Sequence, residues 1–92
     1  MRKIEQGTRF KKDLKRYKNQ PDKLKKLYEV VRMLAEGISL PAVLKPHKLI
    51  GNYTGYMECH VESDLLLLWI ETNEKGDVVI ILSRFGSHSD LF

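Results

Sequence analysis

Apolar residues recur with two different periods along this chain, and the change falls near its middle. In the first half they recur at steps of three and four, which places them on one face of an α-helix. Further on they alternate with polar residues, and two later segments are apolar at nearly every position, which is typical of β-strands. The pattern therefore predicts helices first and a sheet afterwards.

The first predicted helix lies in "GTRFKKDLKRYKNQP", where Phe10, Leu14 and Tyr17 share one face and lysines and arginines surround them. Thr8 is a suitable N-cap, because its hydroxyl can accept a hydrogen bond from a free backbone N–H, and Pro21 is a stop signal. The segment therefore predicts a basic amphipathic helix.

The second helix has the most regular apolar pattern. Its apolar positions repeat at steps of three and four: Leu24, Leu27, Tyr28, Val31, Leu34 and Ala35. Asp22 can cap its start, and Gly37 can take the left-handed conformation that ends it. The short turn "NQPD" between the two helices predicts an antiparallel hairpin.

Strands are predicted on both sides of this hairpin. "MRKIEQ" is a candidate short first strand, and "ISLPAVLKPHKLIGNY", with two prolines and a glycine, is predicted to be a connection. In "YTGYMECHVE", alternation predicts two opposite sets: Met57, Cys59 and Val61 on one face, and Tyr56, Glu58, His60 and Glu62 on the other. "DLLLLWIE" and "DVVIILSRF" are apolar on both faces, and "TNEKGD" between them favours a hairpin turn.

These elements predict a single α+β domain over residues 1–92, in the order β-α-α-β-β-β. The helical hairpin is the only available cover for one face of the sheet, so it is expected to pack on a mainly antiparallel sheet of about four strands. The final "GSHSDLF" is long enough for a single helical turn.

The cysteine content and the apolar runs indicate where in the cell the protein acts. The one cysteine, Cys59, has no partner for an intramolecular disulfide, and the N-terminus lacks the apolar core of a secretory signal. The longest apolar runs are far shorter than the roughly 20 residues of a membrane-spanning helix. These features predict a cytoplasmic protein that does not act in a membrane.

The net charge of +4 is concentrated at the N-terminus, where residues 1–26 hold eleven Lys or Arg and three Asp or Glu. A one-sided basic region is expected of a protein that binds nucleic-acid phosphates or docks an acidic partner; the alternative is a solvated helix face. The candidate RNA-binding cations are Lys11, Lys12, Lys15, Arg16, Lys18 and Lys45.

The candidate catalytic residues lie in the second half of the chain, at predicted strand ends and in loops. His47, His60 and His88 can take up and release protons near neutral pH, and Asp64 can act as a base or orient His60. Arg84 can hold a phosphate through its planar guanidinium. These groups suit RNA cleavage by internal attack of a 2′-hydroxyl, which needs a base, an acid and a cation.

Aromatic residues close to these groups in sequence can stack on unpaired bases; they are Tyr53, Tyr56, Phe85 and Phe92. Each candidate also has a structural interpretation. The histidines can be surface or packing residues, Phe92 can fill the edge of the core, and Arg84 can pair with Asp64 or Glu62. A zinc site built from the three histidines and Asp64 is less favoured, because no HxH or HExxH spacing occurs.

The segments "LPAVLKPHKLIGNYTGYMECHVESDLLLLWI" and "SRFGSHSDLF" resemble the YafQ branch of the RelE/ParE toxin superfamily. They match the patterns H-x-L-x-G-x-[YW]-x-G-Y-[RM]-x-x-H-[VI]-x-x-D and R-x-G-[ST]-H-x-x-L-F, and with the two helices the resemblance spans the whole chain. Relatives often have Pro and Trp where this chain has Ser63 and Leu65, and a basic residue at Met57. These departures bear on codon preference and local geometry.

The resemblance implies a RelE-like fold and a bacterial type II toxin that cleaves mRNA codons in the ribosomal 30S A site, without a metal or other cofactor. It implies a cognate acidic antitoxin of the DinJ type, and 16S rRNA as the partner of the basic helices. Six positions match the family's active-site residues: His47, His60, Asp64, His88, Phe92 and, for the phosphate, Arg84. His88 is expected to be the acid, and His60 or Asp64 the base.

Two other functions stay open at this point. One is a non-catalytic module of the same fold, whose basic face binds RNA or a partner. The other is a toxin of the ParE branch that targets DNA gyrase, although the full histidine set argues against it.

Overall fold

The computed structural model describes all residues, Met1–Phe92. Its helices and strands follow in the order β1 Lys3–Gln6, α1 Thr8–Lys15, α2 Pro21–Glu36, β2 His47–Lys48, β3 Met57–Glu62, β4 Leu65–Glu74, β5 Asp77–Gly86 and α3 His88–Leu91. The strands form one sheet in the order β1-β5-β4-β3-β2. All pairings are antiparallel except that of β1 with β5, which is parallel.

The α+β class, the helical hairpin and the mainly antiparallel sheet are confirmed, but the sheet has five strands rather than about four. The additional strand, β2, consists of His47 and Lys48, which pair with Glu58 and Met57 of β3. Two residues are too short to give a period in the sequence, and the flanking prolines and glycine predict a loop. The two-residue strand nevertheless fixes the position of His47.

The helix ends differ from the sequence prediction at two caps. Gly7 rather than Thr8 is the N-cap of α1, and Thr8 is its first helical residue. Gln20 is the N-cap of α2, because Pro21 occupies the first helical position, where its missing N–H costs no hydrogen bond. Asp22 therefore lies inside the first turn and does not cap it. Gly37 ends α2 at φ 71° in the left-handed region, as predicted.

One face of the sheet, the helix-covered face, packs against α1 and α2. Its core contains thirteen buried residues, among them Phe10 of α1, Leu27 of α2 and Leu67 of β4. Every second residue of β4 points to this side, so Trp69 joins the same core. No helix of the structure combines the length and apolar character that crossing a membrane requires.

The opposite side, the open face, has a smaller apolar cluster. Leu66 and Leu68, the alternate residues of β4, pack with Leu91 of α3, and Leu49 and Tyr56 lie against them. The C-terminal helical turn is thus docked on the open face, which positions the residues on either side of Leu91.

A bulge in β3 changes the direction of Glu62. The register shifts between His60, which pairs with Leu66, and Glu62, which pairs with Leu65. Glu62 therefore reaches the helices instead of the open face, and its carboxylate accepts hydrogen bonds from Lys23 Nζ at 2.6 Å and Lys26 Nζ at 2.9 Å. The hydrogen bond from Lys23, followed by that from Lys26, lowers the pKa of Glu62.

Candidate active site

The three histidines form a row on the open face. His60 of β3 lies opposite Leu66 of β4, and His47 of β2 lies opposite Glu58 of β3. His88 is the first residue of α3. The ring centroids of His47 and His60 are 6.5 Å apart, and those of His60 and His88 are 5.9 Å apart. Side chains that are distant in sequence therefore share one surface, with His60 in the middle.

Asp64 binds His88. One carboxylate oxygen of Asp64, in the turn before β4, accepts hydrogen bonds from His88 Nδ1 at 2.7 Å and from the His88 backbone N–H at 3.0 Å. The backbone bond and then the side-chain bond lower the pKa of Asp64, so the carboxylate stays ionised. Because an ionised carboxylate only accepts, Nδ1 of His88 carries a proton, and Nε2 is left without a partner in the protein.

This pairing corrects the sequence-based expectation that Asp64 orients His60. The His60 ring instead has its Nδ1 3.3 Å from the backbone oxygen of Ser63, and no carboxylate bonds to it. A carbonyl accepts, so Nδ1 of His60 donates and Nε2 is free. Alternation correctly placed His60 away from the helix-covered core.

His47 contacts a carboxylate that the sequence did not single out. Its Nε2 lies 3.2 Å from Oε1 of Glu58, and its Nδ1 lies 2.7 Å from the backbone oxygen of Lys45. Glu58 is 5% exposed, although alternation assigns it to the polar side of β3. The sequence pattern does not predict strand β2, and only the pairing of β2 with β3 brings the side chains of His47 and Glu58 together.

The C-terminal ring is held beside the histidine row. The rings of Phe92 and Tyr53 are 4.9 Å apart in an edge-on arrangement, and Phe92 is 6.4 Å from the ring of His88. Tyr53 also contacts Tyr56, at 6.2 Å. Phe92 remains 53% exposed, so one part of the ring is anchored while another faces solvent.

Phe85 is not available to RNA, which corrects its assignment as an RNA-binding residue. It is 0% exposed and packs against Tyr17, in the turn after α1, at a ring distance of 4.9 Å and against Phe10 at 6.4 Å. The register of β5 shifts between Leu82 and Arg84, so counting by two along the strand fails there.

Arg84 is held by Asp13, and not by Asp64 or Glu62. Its Nε and Nη2 donate to the two carboxylate oxygens of Asp13 at 2.8 and 3.2 Å. Asp13 also accepts the backbone N–H of Phe85 at 2.9 Å, so it ties α1 to the end of β5. The hydrogen bonds that Arg84 donates to Asp13 raise the pKa of Arg84. The side of the guanidinium that carries Nε and Nη2 is therefore occupied by Asp13, and its remaining N–H groups have no protein partner.

The predicted RNA-binding cations are all exposed: Lys11, Lys12, Lys15, Arg16, Lys18 and Lys45. Arg16 lies 3.6 Å from Asp90 of α3, so the basic segment adjoins the C-terminal turn of the site. Lys45 flanks His47 from the other side. The histidine row is therefore bordered by positive charge at both ends.

No group of three or more His, Cys, Asp or Glu side chains is arranged to hold a metal ion. The two outer imidazoles each contact a carboxylate, His47 with Glu58 and His88 with Asp64, while His60 between them contacts none. The arrangement therefore places three imidazoles and two carboxylates next to one another on one surface.

Known proteins resemble this chain in fold and in sequence. The mRNA interferase toxin YafQ of Escherichia coli strain K12 is 34% identical over 92 residues, covering 99% of this chain and 96% of the relative. A chain of the E. coli DinJ-YafQ complex has a TM-score of 0.85 and 32% identity, covering 100% of this chain and 99% of its own. The metal-bound toxin from Helicobacter pylori has a TM-score of 0.85 and 40% identity, with 100% of both chains covered.

A model of a protein family described as bacterial toxin of type II toxin-antitoxin system, YafQ, matches residues 2–92. The match includes both helices of the hairpin and the C-terminal turn, so it extends over the complete fold and the histidine row. The chain therefore belongs to the YafQ family of bacterial type II toxins.

Proposed function

We propose that this protein is an mRNA endoribonuclease that cuts codons in the ribosomal 30S A site and acts as the toxin of a toxin–antitoxin pair. The observation that carries the proposal is the row of three imidazoles on the open face, of which only the outer two contact carboxylates. The E. coli relative is called an mRNA interferase, which agrees with this chemistry.

His60 is the general base in this proposal. Its Nδ1 faces a carbonyl oxygen, so Nε2 has a free lone pair that can take the proton of a 2′-hydroxyl. The ring centroids of the two outer histidines lie within 6.5 Å of that of His60. Asp64 is a poorer base, because its lowered pKa makes the carboxylate a weak proton acceptor.

His88 is the general acid. Asp64 keeps the proton on Nδ1 and stabilises the imidazolium, so the proton on Nε2 is the one that leaves. The 2′-oxygen attacks phosphorus as its proton passes to His60, and the bond from phosphorus to the 5′-oxygen breaks as His88 protonates that oxygen. The products are a 2′,3′-cyclic phosphate and a 5′-hydroxyl, and no metal takes part in the proposed step.

Substrate binding involves the rings and cations around the row. Phe92 and Tyr53, with Tyr56 behind them, can hold a splayed base, since every base has a stacking face. The exposed cations of α1 and its following turn bind 16S rRNA, with affinity that falls as salt rises. Arg84 contributes its free N–H groups to the phosphate.

The proposed antitoxin partner is a small acidic protein of the DinJ type. The E. coli relative has been crystallised as a DinJ-YafQ complex. This chain has eleven Lys or Arg in its first 26 residues, a surface that an acidic segment can cover. Co-expression with the product of a neighbouring gene for an acidic protein should give a stable complex that does not cleave mRNA.

The proposal is tested by incubating purified protein with ribosomes carrying a defined mRNA and mapping the 5′ ends of the products. The parent should cut within the A-site codon, His88→Ala should cut about 10²- to 10⁴-fold more slowly, and Asn73→Ala, on an exposed site at the far end of β4, should match the parent. If the parent does not cut the mRNA, the proposed nuclease activity is wrong, and the alternative of a non-catalytic binding module is favoured.

Two further reactions sharpen this test. The same mRNA without ribosomes should stay intact if the ribosome is required. Addition of 1,10-phenanthroline, which sequesters transition metals and leaves Mg²⁺ for the ribosome, should not slow the cut; a full loss would overturn the metal-independent step.

A further inference from the structure

Glu58 is one of two buried charged residues in the protein, together with Asp13. A buried carboxylate is costly unless it is paired, and each of these two binds a candidate site residue. Asp13 accepts three hydrogen bonds from β5. The side chain of Glu58 has a single polar partner, Nε2 of His47 at 3.2 Å.

One ring nitrogen of His47 is hydrogen-bonded, and the other lies close to a carboxylate oxygen. Nδ1 is 2.7 Å from the backbone oxygen of Lys45, and a carbonyl oxygen cannot donate, so Nδ1 carries a proton. Nε2 lies 3.2 Å from Oε1 of Glu58 in an ionic contact rather than an aligned hydrogen bond, and a neutral ring would leave the buried carboxylate with no positive charge beside it. A second ring proton gives the buried carboxylate its counter-charge.

The backbone supports this arrangement. Lys45 is one of two non-glycine residues with positive φ, at 50°, and this conformation directs its carbonyl towards the ring of His47. Left-handed backbone in a residue with a side chain costs of order 1 kcal/mol and persists only where surrounding contacts support it. Strand β2 and this carbonyl together hold His47 over Glu58.

We propose that Glu58 is a positioning residue that keeps His47 as a doubly protonated imidazolium. The role of His47 in cleavage rests on the proposed function. As a doubly protonated ring, His47 does not take the proton of the 2′-hydroxyl; it supplies positive charge for the transition state at phosphorus. Besides Glu58, the ionisable groups around His47 are His60 on β3 and Lys45 and Lys48 on its own segment.

Long-range ¹H–¹⁵N NMR of the full chain tests the charge of the ring without any cleavage assay. At pH 7, both ring nitrogens of His47 should show the shifts of protonated imidazolium. Glu58→Gln removes the carboxylate charge beside Nε2, so the ring should become neutral with its proton on Nδ1. Glu62→Gln, a matched change on the same strand that faces the helices, should leave the His47 signals unchanged.

Cleavage by the same variants gives the second measurement. Glu58→Gln should slow single-turnover cutting by about 10- to 100-fold, less than the roughly 10²- to 10³-fold for removing a charge-stabilising group outright, because Gln still holds the ring. Glu58→Asp, which retains the carboxylate, should lie closer to the parent.

Failure of the role proposed for Glu58 and failure of the proposed nuclease function give different results in these experiments. A neutral His47 ring in the parent spectrum would overturn the role of Glu58, whatever the variants do and however they fold, while the cleavage assay on His88→Ala would still stand. A parent that does not cut mRNA would overturn the proposed function, while the NMR result would still report the state of the His47–Glu58 pair.

Discussion

The two faces of the β-sheet differ in what their buried residues do. On the helix-covered face, Leu67 and Trp69 of β4 belong to a core of thirteen buried residues. On the open face, Leu66 and Leu68 of the same strand pack with Leu91 in a cluster of three. One strand therefore serves two purposes: its odd-numbered residues hold the helices, and its even-numbered ones dock the turn that carries His88.

The two faces also differ in their polar contacts. The open face joins imidazoles to carboxylates across strands and turns, as in the His88–Asp64 pair, whose side chains are more than half exposed. Exposed ion pairs stabilise a fold by at most about 1 kcal/mol, whereas burial of a leucine contributes about 1.5–3 kcal/mol. Stability should therefore depend mainly on the helix-covered face and cleavage mainly on the open face.

The largest expected effect is on cleavage. His60→Ala should slow single-turnover cutting of ribosome-bound mRNA by about 10²- to 10⁴-fold, because it removes the proposed base. The free energy of unfolding, measured with urea, should change by less than about 1 kcal/mol, since His60 makes one long hydrogen bond. A large loss of stability with unaltered cutting by the folded protein would reverse the proposed division between the faces.

Neighbouring leucines of β4 give a matched comparison. Leu67→Ala should lower the free energy of unfolding by about 2–5 kcal/mol, because it leaves a cavity in the larger core, while the folded variant cuts at the parent rate. Leu66→Ala should cost less stability, because Tyr56 and α3 can move into the space, and should cut more slowly, because Leu91 docks there. Equal behaviour of the two variants in both measurements would contradict the comparison.

Asp64→Asn should have an intermediate effect on cleavage, a loss of about 10- to 100-fold, because Asn holds the His88 ring without stabilising its charge. The lowered pKa of Asp64 also predicts a pH effect on stability. The contribution is present above the ordinary aspartate pKa of about 4 and is lost as the pH falls through the lower folded value. The free energy of unfolding should therefore fall less steeply with decreasing pH in the variant than in the parent. An identical fall in the two proteins would contradict the hydrogen bonds between Asp64 and His88.

The smallest expected effect concerns the start of α3. Ser87 Oγ accepts the backbone N–H of Asp90 at 3.2 Å, and the Asp90 carboxylate accepts the backbone N–H of Ser87 at 3.4 Å. Ser87→Ala removes one half of this capping box and should destabilise the turn by about 1 kcal/mol. Faster amide hydrogen exchange at residues 90–92, with unchanged exchange in β4, would show that the effect is local; unchanged exchange at 90–92 would count against it.

The sequence predicts the helix-covered face well, because regular burial produces a regular pattern. The three-and-four spacing of α2 follows from packing against one continuous core, and alternate residues of the apolar runs in β4 and β5 pack against the same core. Gly37 shows the same agreement at a single residue, since a left-handed helix end favours glycine.

The open face is less predictable, because it depends on pairings that leave no period. Glu58 and His47 meet only through a two-residue strand, and Asp64 binds His88 across 24 positions of sequence. The bulge that turns Glu62 towards the helices and the register shift that buries Phe85 both interrupt alternation. The motif spacing therefore identifies the three histidines, but only the fold identifies the carboxylates that contact two of them.

The division of roles between the central and the C-terminal imidazole is tested most directly with an mRNA that carries a 5′-bridging sulfur at the cut site. A thiolate leaves without a proton, so this substrate does not need a general acid. His88→Ala should cut it within about tenfold of the parent, whereas His60→Ala should remain about 10²- to 10⁴-fold slower. If His88→Ala is as impaired on the sulfur substrate as on the natural one, His88 is not the acid.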